Sequence, residues 1–311
     1  MKAIVVLFTM VGILIAGGFE SSEVKNGNFH IYTVDNKDAN IRPKMIEDAL
    51  KSNGFLIGEN ANIQAELLHI YKEDNFKIYN NISFYHKDIT LKLLNKHSDA
   101  GVLVPMGMVV YQHIGEDDLH IVVVRADMQA KVIGVKPQEL QTLEVAILKV
   151  ITTLFPTAIH TYNDESKAQP REFLTKYTLD FKDADFEDVR EELEENFEEK
   201  FTKAGFAMPS YFDLAEGLGK DSPYDFYVTY AICKMDVLRV VIKVNPEVPV
   251  LGPCTTMIYK KKNEKKIVMG FASIYNWISS ANIEDKVAVD GLLETQRIYE
   301  AILKDVTKTN K

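Results

Sequence analysis

The sequence predicts an α+β fold made of two tandem repeats, each an antiparallel sheet with helices on one face. Three observations carry this. Residues 77–124 align with 225–272 at a constant offset of 148 without a gap. Each half shows the same order: strand, helix, strand, short helix, two strands, helix. That order does not alternate β and α regularly, which disfavours a parallel doubly wound sheet. Self-similarity over such a span is the signature of a repeated unit. The composition, 46% hydrophobic and 26% charged, is that of a globular chain rather than a disordered one.

The elements follow in order. An opening strand is expected at His30 to Val34 and at Thr175 to Phe181. A helix follows at Pro43 to Asn53 and at Asp185 to Ala204, with Gly54 and Gly205 where a helix C-cap belongs. The tyrosine-bearing strands come next, at 77–86 and 225–234. A short helix then begins behind Asp88 or Asp236, read as N-caps. In the second half the β-branched run VLRVVIKV favours a strand by propensity alone, but the gap-free alignment favours a helix. Hairpins pair 106–114 with 119–126 and 254–261 with 266–273, through the polar turns GEDD and KNEK. Closing helices run from Pro137 to Leu154 and from Asp285 to Val306. The polar, patternless stretch 155–172 reads as a linker. The expected domains are therefore 27–154 and 173–308.

The first residues read as an address. Met1-Lys2 precedes an apolar run from Ala3 to Gly18, and Ala16 and Gly18 fit a cleavage site before Phe19. At 16 residues the run is short for a membrane span, which needs about 20. A signal peptide at 1–18 and a periplasmic mature protein are expected, with an uncleaved membrane anchor as the alternative. The net charge of −9 argues against a nucleic-acid binder. Much of that charge falls in Asp180 to Lys200, which holds 11 acids and 3 bases around an apolar stripe of Phe186, Val189, Leu193, Phe197 and Phe201. A basic cluster, YKKKNEKK at 259–266, is its counterpart, and attraction between the two within a homodimer is one expectation.

Two stretches, LVPMGMVVY at 103–111 and LGPCTTMIY at 251–259, together with the turns Gly54-Phe55 and Gly205-Phe206, give the chain a family likeness. In them the chain resembles the bacterial family called domain of unknown function 302, in two copies. The resemblance implies a curved antiparallel sheet with helices on one face, similar to the TATA-binding-protein-like fold. It implies no activity. The first copy carries Met106 where the family often has Cys, and the second carries Cys254.

Motifs for chemistry are few. The chain has no HExxH, CxxC or GxSxG, and GLGKDS at 217–222 lacks the first glycine and the hydroxyl of a phosphate loop. Cys233 and Cys254 are candidates for a disulfide, for buried structural thiols, or, at Cys254, for a reactive thiol. Six of the seven histidines, His30, His69, His86, His97, His113 and His120, lie in the first half; His160 is in the linker. His113 and His120 flank a hairpin turn and are placed to face each other, but no pair has helical ligand spacing, so no metal site is expected. On the tyrosine strands, Tyr79, Asn81, Ser83 and Tyr85 share one face, as do Tyr227, Thr229, Ala231 and Cys233. That face either closes against another sheet or holds a ligand. Tyr79, Tyr85, Tyr227 and Cys254 are the ligand-binding candidates. No catalytic residue and no cofactor is expected. The expected function is that of an exported, non-enzymatic binding or accessory protein, with a protein or small-molecule partner. The alternatives are a thiol-based redox accessory enzyme using Cys254 and a metal or haem carrier using first-half histidines.

Overall fold

The computed structural model describes residues 27–182 and 184–308. The expected signal peptide at 1–18 lies outside them. In the first half, β1 (Phe29–Asp35) leads to α1 (Pro43–Ser52), β2 (Phe55–Asn62), α2 (Ile63–Tyr71), β3 (Phe76–His86) and α3 (Lys87–Lys96). A 3₁₀ turn (Ser98–Leu103), the hairpin β4 (Met106–His113) and β5 (Asp118–Val124), then α4 (Ala126–Ile133) and α5 (Gln138–Leu154) complete it. A short β6 (Ile159–Tyr162) follows. The second half runs β7 (Leu174–Asp180), α6 (Phe186–Lys203), β8 (Ala207–Asp213), α7 (Ala215–Leu218), β9 (Tyr224–Cys233) and α8 (Met235–Val244). Its 3₁₀ turn (Val248–Leu251) precedes β10 (Cys254–Lys261), β11 (Lys266–Ala272), α9 (Tyr275–Ser280) and α10 (Lys286–Val306).

The two sheets are antiparallel and share one strand order. The first is β2-β3-β4-β5-β1-β6 and the second β8-β9-β10-β11-β7. Registers match as well. Tyr79 faces Tyr111 and Tyr227 faces Tyr259; Val109 faces Val122 and Met257 faces Gly270. Each pair is its counterpart displaced by the offset of 148. The peptide bonds Val104–Pro105 and Gly252–Pro253, also at matching positions, are both cis.

Local signals explain the helices. Asp185 caps α6 by accepting the amides of Glu187 and Asp188, and Asp285 caps α10 through Ala288. Gly54 and Gly205 follow α1 and α6 with φ of +84° and +78°, the left-handed end that glycine adopts freely. Asp88 and Asp236 differ from expectation. The N-caps of α3 and α8 are His86 and Lys234, and the two aspartates sit in the first turn, where their charge faces the positive end of the helix. The run VLRVVIKV is helical, its Leu238, Val241 and Ile242 buried on one side. On α6 the acidic surface covers an apolar stripe in which Leu193, Phe197 and Phe201 are buried.

Several elements depart from the sequence reading. β2 and β8 follow the Gly-Phe turns at the sheet edges, where Gly58 and Pro209 are tolerated but mask strand propensity. The stretch read as a patternless linker contains β6, which pairs with β1. The helices α2, α4, α7 and α9 are likewise additional to the expected order.

One face of each sheet packs on its own helices: Ile82 and Phe84 of β3 join Ile46 of α1, Leu93 of α3 and Ile147 of α5 in one core. The opposite face is not stacked on another sheet. The 3₁₀ turn of each half lies across the central strands of the other, Ser98–Leu103 on β10 and β11, Val248–Leu251 on β4 and β5. Polar bonds seal the exchange. The Tyr79 hydroxyl donates to the Pro246 carbonyl at 2.7 Å, and the Tyr227 hydroxyl to the Ser98 carbonyl at 2.5 Å. Donors and acceptors are both related by the offset of 148. The approach is close enough to require glycine at two points. A Cβ on Gly101 would lie 2.2 Å from the Tyr227 hydroxyl, and one on Gly107 would lie 2.0 Å from the Gly252 carbonyl. Both hydrophobic cores consequently contain residues of both halves.

Candidate cavity at the junction of the halves

The second-half turn does more than plug the first sheet. Beside it opens a cavity of about 90 Å³ whose walls come from both halves. Gly252, Pro253 and Cys254 form one wall as the chain enters β10, and Ile232 and Cys233 form the next at the end of β9. Trp277 of α9 and Leu292 of α10 close the inner side, while Asn81 and Ser83 of β3 and Ser210 of β8 supply polar groups. A smaller cavity of about 50 Å³ lies on the other side of Pro253 and Trp277, against Met106 and Met128.

Polar atoms in the larger cavity are incompletely used. The Asn81 side-chain amide donates to the Pro249 carbonyl at 2.9 Å, which fixes its orientation. Among the described residues its Oδ1 is then a buried acceptor with no donor, and Ser210 Oγ is likewise buried without a partner. A buried polar atom without a partner costs about 1–3 kcal/mol, so each such atom asks for an explanation. The two thiols are free. The register sets Cys254 opposite Ile232, one residue short of Cys233, which is not the directly paired arrangement a cross-strand disulfide uses. Burial, and for Cys233 also the carboxylates of Glu59 and Asp236, pushes both thiols up to about 12. At neutral pH they are protonated and line the cavity as small polarisable groups rather than nucleophiles. Glu59 at the rim is also raised, by burial and by the neighbouring Glu66.

The tyrosine candidates have other employment. Tyr79 and Tyr227 are 0% exposed, and their hydroxyls are spent on the backbone of the opposite half; that of Tyr227 also accepts the Gly101 amide at 3.1 Å. Tyr85 is half-buried, edge-on to Phe212 with ring centroids 5.4 Å apart. Of the four ligand-binding candidates, Cys254 alone lines the larger cavity. His113 and His120 do not face each other. His113 stacks on Phe76 at 4.6 Å and His120 on Tyr111 at 4.7 Å, because Tyr111 is the residue opposite His120. Among the described residues no group of three or more His, Cys, Asp or Glu side chains is placed to hold a metal ion. Lys260 of the basic hairpin pairs with Asp225 of β9, outside the acidic segment, and lies over the Phe186 ring of α6 at 5.0 Å. The sequence places Asn81 on the face offered to a ligand but gives no sign of Trp277 or Ser210 as cavity residues beyond the single tryptophan of the chain.

The family described as Domain of unknown function DUF302 matches residues 177–303. Among solved structures the chain is similar to an uncharacterized conserved protein DUF302 from Bacillus stearothermophilus, with 17% identity over 44% of this chain and 98% of that chain and a TM-score of 0.35. No curated protein matches the chain.

Proposed function

With residues 177–303 a member of the DUF302 family, we propose that this protein is an exported, non-enzymatic binding protein. Residues 27–154 and 173–308 are its two copies of that fold, and a small ligand occupies the cavity beside Cys254. The duplication is supported by the common strand order, the matching registers and the reciprocal tyrosine bonds. Export to the periplasm is supported by the apolar run ending at Gly18; among the described residues no helix is long and apolar enough to cross a membrane.

The observation that carries the ligand proposal is the pairing of a mostly apolar cavity with two unpartnered polar atoms, Asn81 Oδ1 and Ser210 Oγ. Small-molecule sites have this character, apolar walls with a few polar groups that fix orientation. The ligand class that fits is a compact apolar molecule bearing one N–H or O–H donor. Protonated thiols favour this reading over redox chemistry at Cys254, since the thiolate is the nucleophile.

Trp277 lines the cavity and is the single tryptophan, so its emission reports occupancy directly. Phenol and toluene are matched probes that differ by one donor. Phenol is expected to change the emission saturably and more tightly than toluene, and Cys254→Met, which installs the residue found at position 106, to remove the response. Absence of a saturable response to either probe overturns the proposal. Export is tested separately, by mass spectrometry of the envelope fraction: a mature N-terminus at Phe19 is expected, and a cytosolic chain beginning at Met1 refutes it.

A further inference from the structure

Among the described residues β6 has no counterpart in the second sheet. It carries His160 to β1, where His160 Nε2 lies 3.0 Å from His30 Nδ1. The other nitrogen of His30 lies 3.0 Å from Oε1 of Glu144 on α5, and that oxygen also accepts the Ala126 amide at 2.8 Å. With Glu144 Oε1 as the acceptor, the neutral His30 ring carries its proton on Nε2 and its lone pair on Nδ1. The His160 ring is stacked flat on Tyr32 at 4.5 Å.

We propose that His30 and His160 chelate a divalent transition-metal ion of the imidazole-preferring class, Cu²⁺ above all, with Glu144 as the positioning residue. The spacing suits it. Two metal–nitrogen bonds of about 2.0–2.1 Å set their nitrogens about 2.9 Å apart at a right angle and about 3.3 Å apart at a tetrahedral one. The observed separation, 3.0 Å, falls in that interval. Imidazole nitrogens suit copper, zinc and nickel, and copper binds most tightly. A carboxylate on the far nitrogen of a ligand histidine is the usual orienting partner of such sites. His160 Nε2–H donates to His30 Nδ1; because His160 is exposed, that proton can pass through solvent to its own Nδ1, and the ring can then turn the freed Nε2 lone pair onto the ion. Water completes the coordination. Arg125 opposes the added charge, and Asp127, 3.6 Å from its guanidinium, offsets part of that. The ion would pin β6, whose residues are all exposed, to the buried β1. This site is remote in composition from the Cys254 cavity, and its test does not depend on that reading.

Calorimetric titration of the untagged protein with Cu²⁺ near neutral pH tests the proposal, alongside electron paramagnetic resonance. One equivalent is expected to bind with the couplings of two imidazole nitrogens. Because His30 is buried and its removal risks the fold, His160→Ala is the primary variant; it should weaken binding at least tenfold. Glu144→Gln should weaken it roughly 10–100-fold. A protein that binds no Cu²⁺ at one equivalent overturns the proposal, as does His160→Ala with unchanged affinity. Glu144→Gln with unchanged affinity overturns the positioning role.

Discussion

Tyr227→Phe removes a single oxygen and tests whether the halves form one folding unit. In the native chain that hydroxyl donates to the Ser98 carbonyl at 2.5 Å and accepts the Gly101 amide at 3.1 Å, with the tyrosine 0% exposed. Each buried group stripped of its partner costs about 1–3 kcal/mol. Two groups in one turn, partly compensated by local relaxation, give about 2–3 kcal/mol. Tyr79→Phe strands one acceptor, the Pro246 carbonyl, and should cost about 1–2 kcal/mol. Trp277 belongs to a core that also holds Phe29, Tyr79 and Val122 of the first half. Urea unfolding followed by Trp277 fluorescence and by far-ultraviolet circular dichroism should therefore give one coincident transition. Both substitutions should move both signals to lower denaturant, Tyr227→Phe further. If Tyr79→Phe shifts part of the dichroism and leaves the Trp277 transition in place, the halves unfold independently. The reasoning from exchanged turns then fails.

Other outcomes follow from the same geometry. Gly107→Ala forces a Cβ to 2.0 Å from the Gly252 carbonyl and 2.6 Å from that of Val250, both backbone. It should destabilise by about 3 kcal/mol, read as a fall of roughly 5 °C or more in Tm by calorimetry. With both thiols pushed up to about 12, iodoacetamide at pH 8 should modify the folded chain roughly a thousandfold more slowly than the urea-unfolded one, by mass spectrometry. The same shift has a sign for stability. Above about pH 8.5 the unfolded chain releases thiol protons that the native chain keeps, so stability should decline toward the native value of about 12. The decline should be shallower in Cys233→Ser/Cys254→Ser, as measured by urea midpoints across that range.

The parts of the fold legible in the sequence were those that side-chain pattern determines. Tyr79 and Tyr111 mark the same cross-strand pair as Tyr227 and Tyr259, so a gap-free offset captured the central strands and the helix between them. Alignment also outweighed propensity correctly at VLRVVIKV, because amphipathic packing decides a helix that β-branched residues disfavour. Edge strands were harder. In β8, Pro209 argues against a strand, yet an edge position leaves its missing amide unneeded. The exchange of 3₁₀ turns was illegible for a different reason. Its acceptors are the backbone carbonyls of Ser98 and Pro246, and a carbonyl carries no side-chain signature. At the cavity, the motif around Cys254 was readable, whereas the role of Asn81 depends on a partner atom from the other half of the chain.

The asymmetry of the two halves locates the cavity. Three positions that open the cavity are Cys233, Gly252 and Cys254. At the offset of 148 their counterparts are Tyr85, Val104 and Met106, all larger. Val104 is 3% and Met106 8% exposed, and Tyr85 reaches across to Phe212 of β8. The same backbone course thus carries filling side chains in one half and small ones in the other. A cavity lined by small residues costs stability through lost packing, about 24 cal/mol for each Å³ left empty. The cavity here, about 90 Å³, is partly open to solvent, so that cost is at most roughly 2 kcal/mol. At these positions the first half carries bulkier side chains, and only the smaller cavity of about 50 Å³ is left against Met106. Small side chains in the second half, beside two polar atoms that lack partners among the described residues, are what the proposed binding role would account for and tight packing would not.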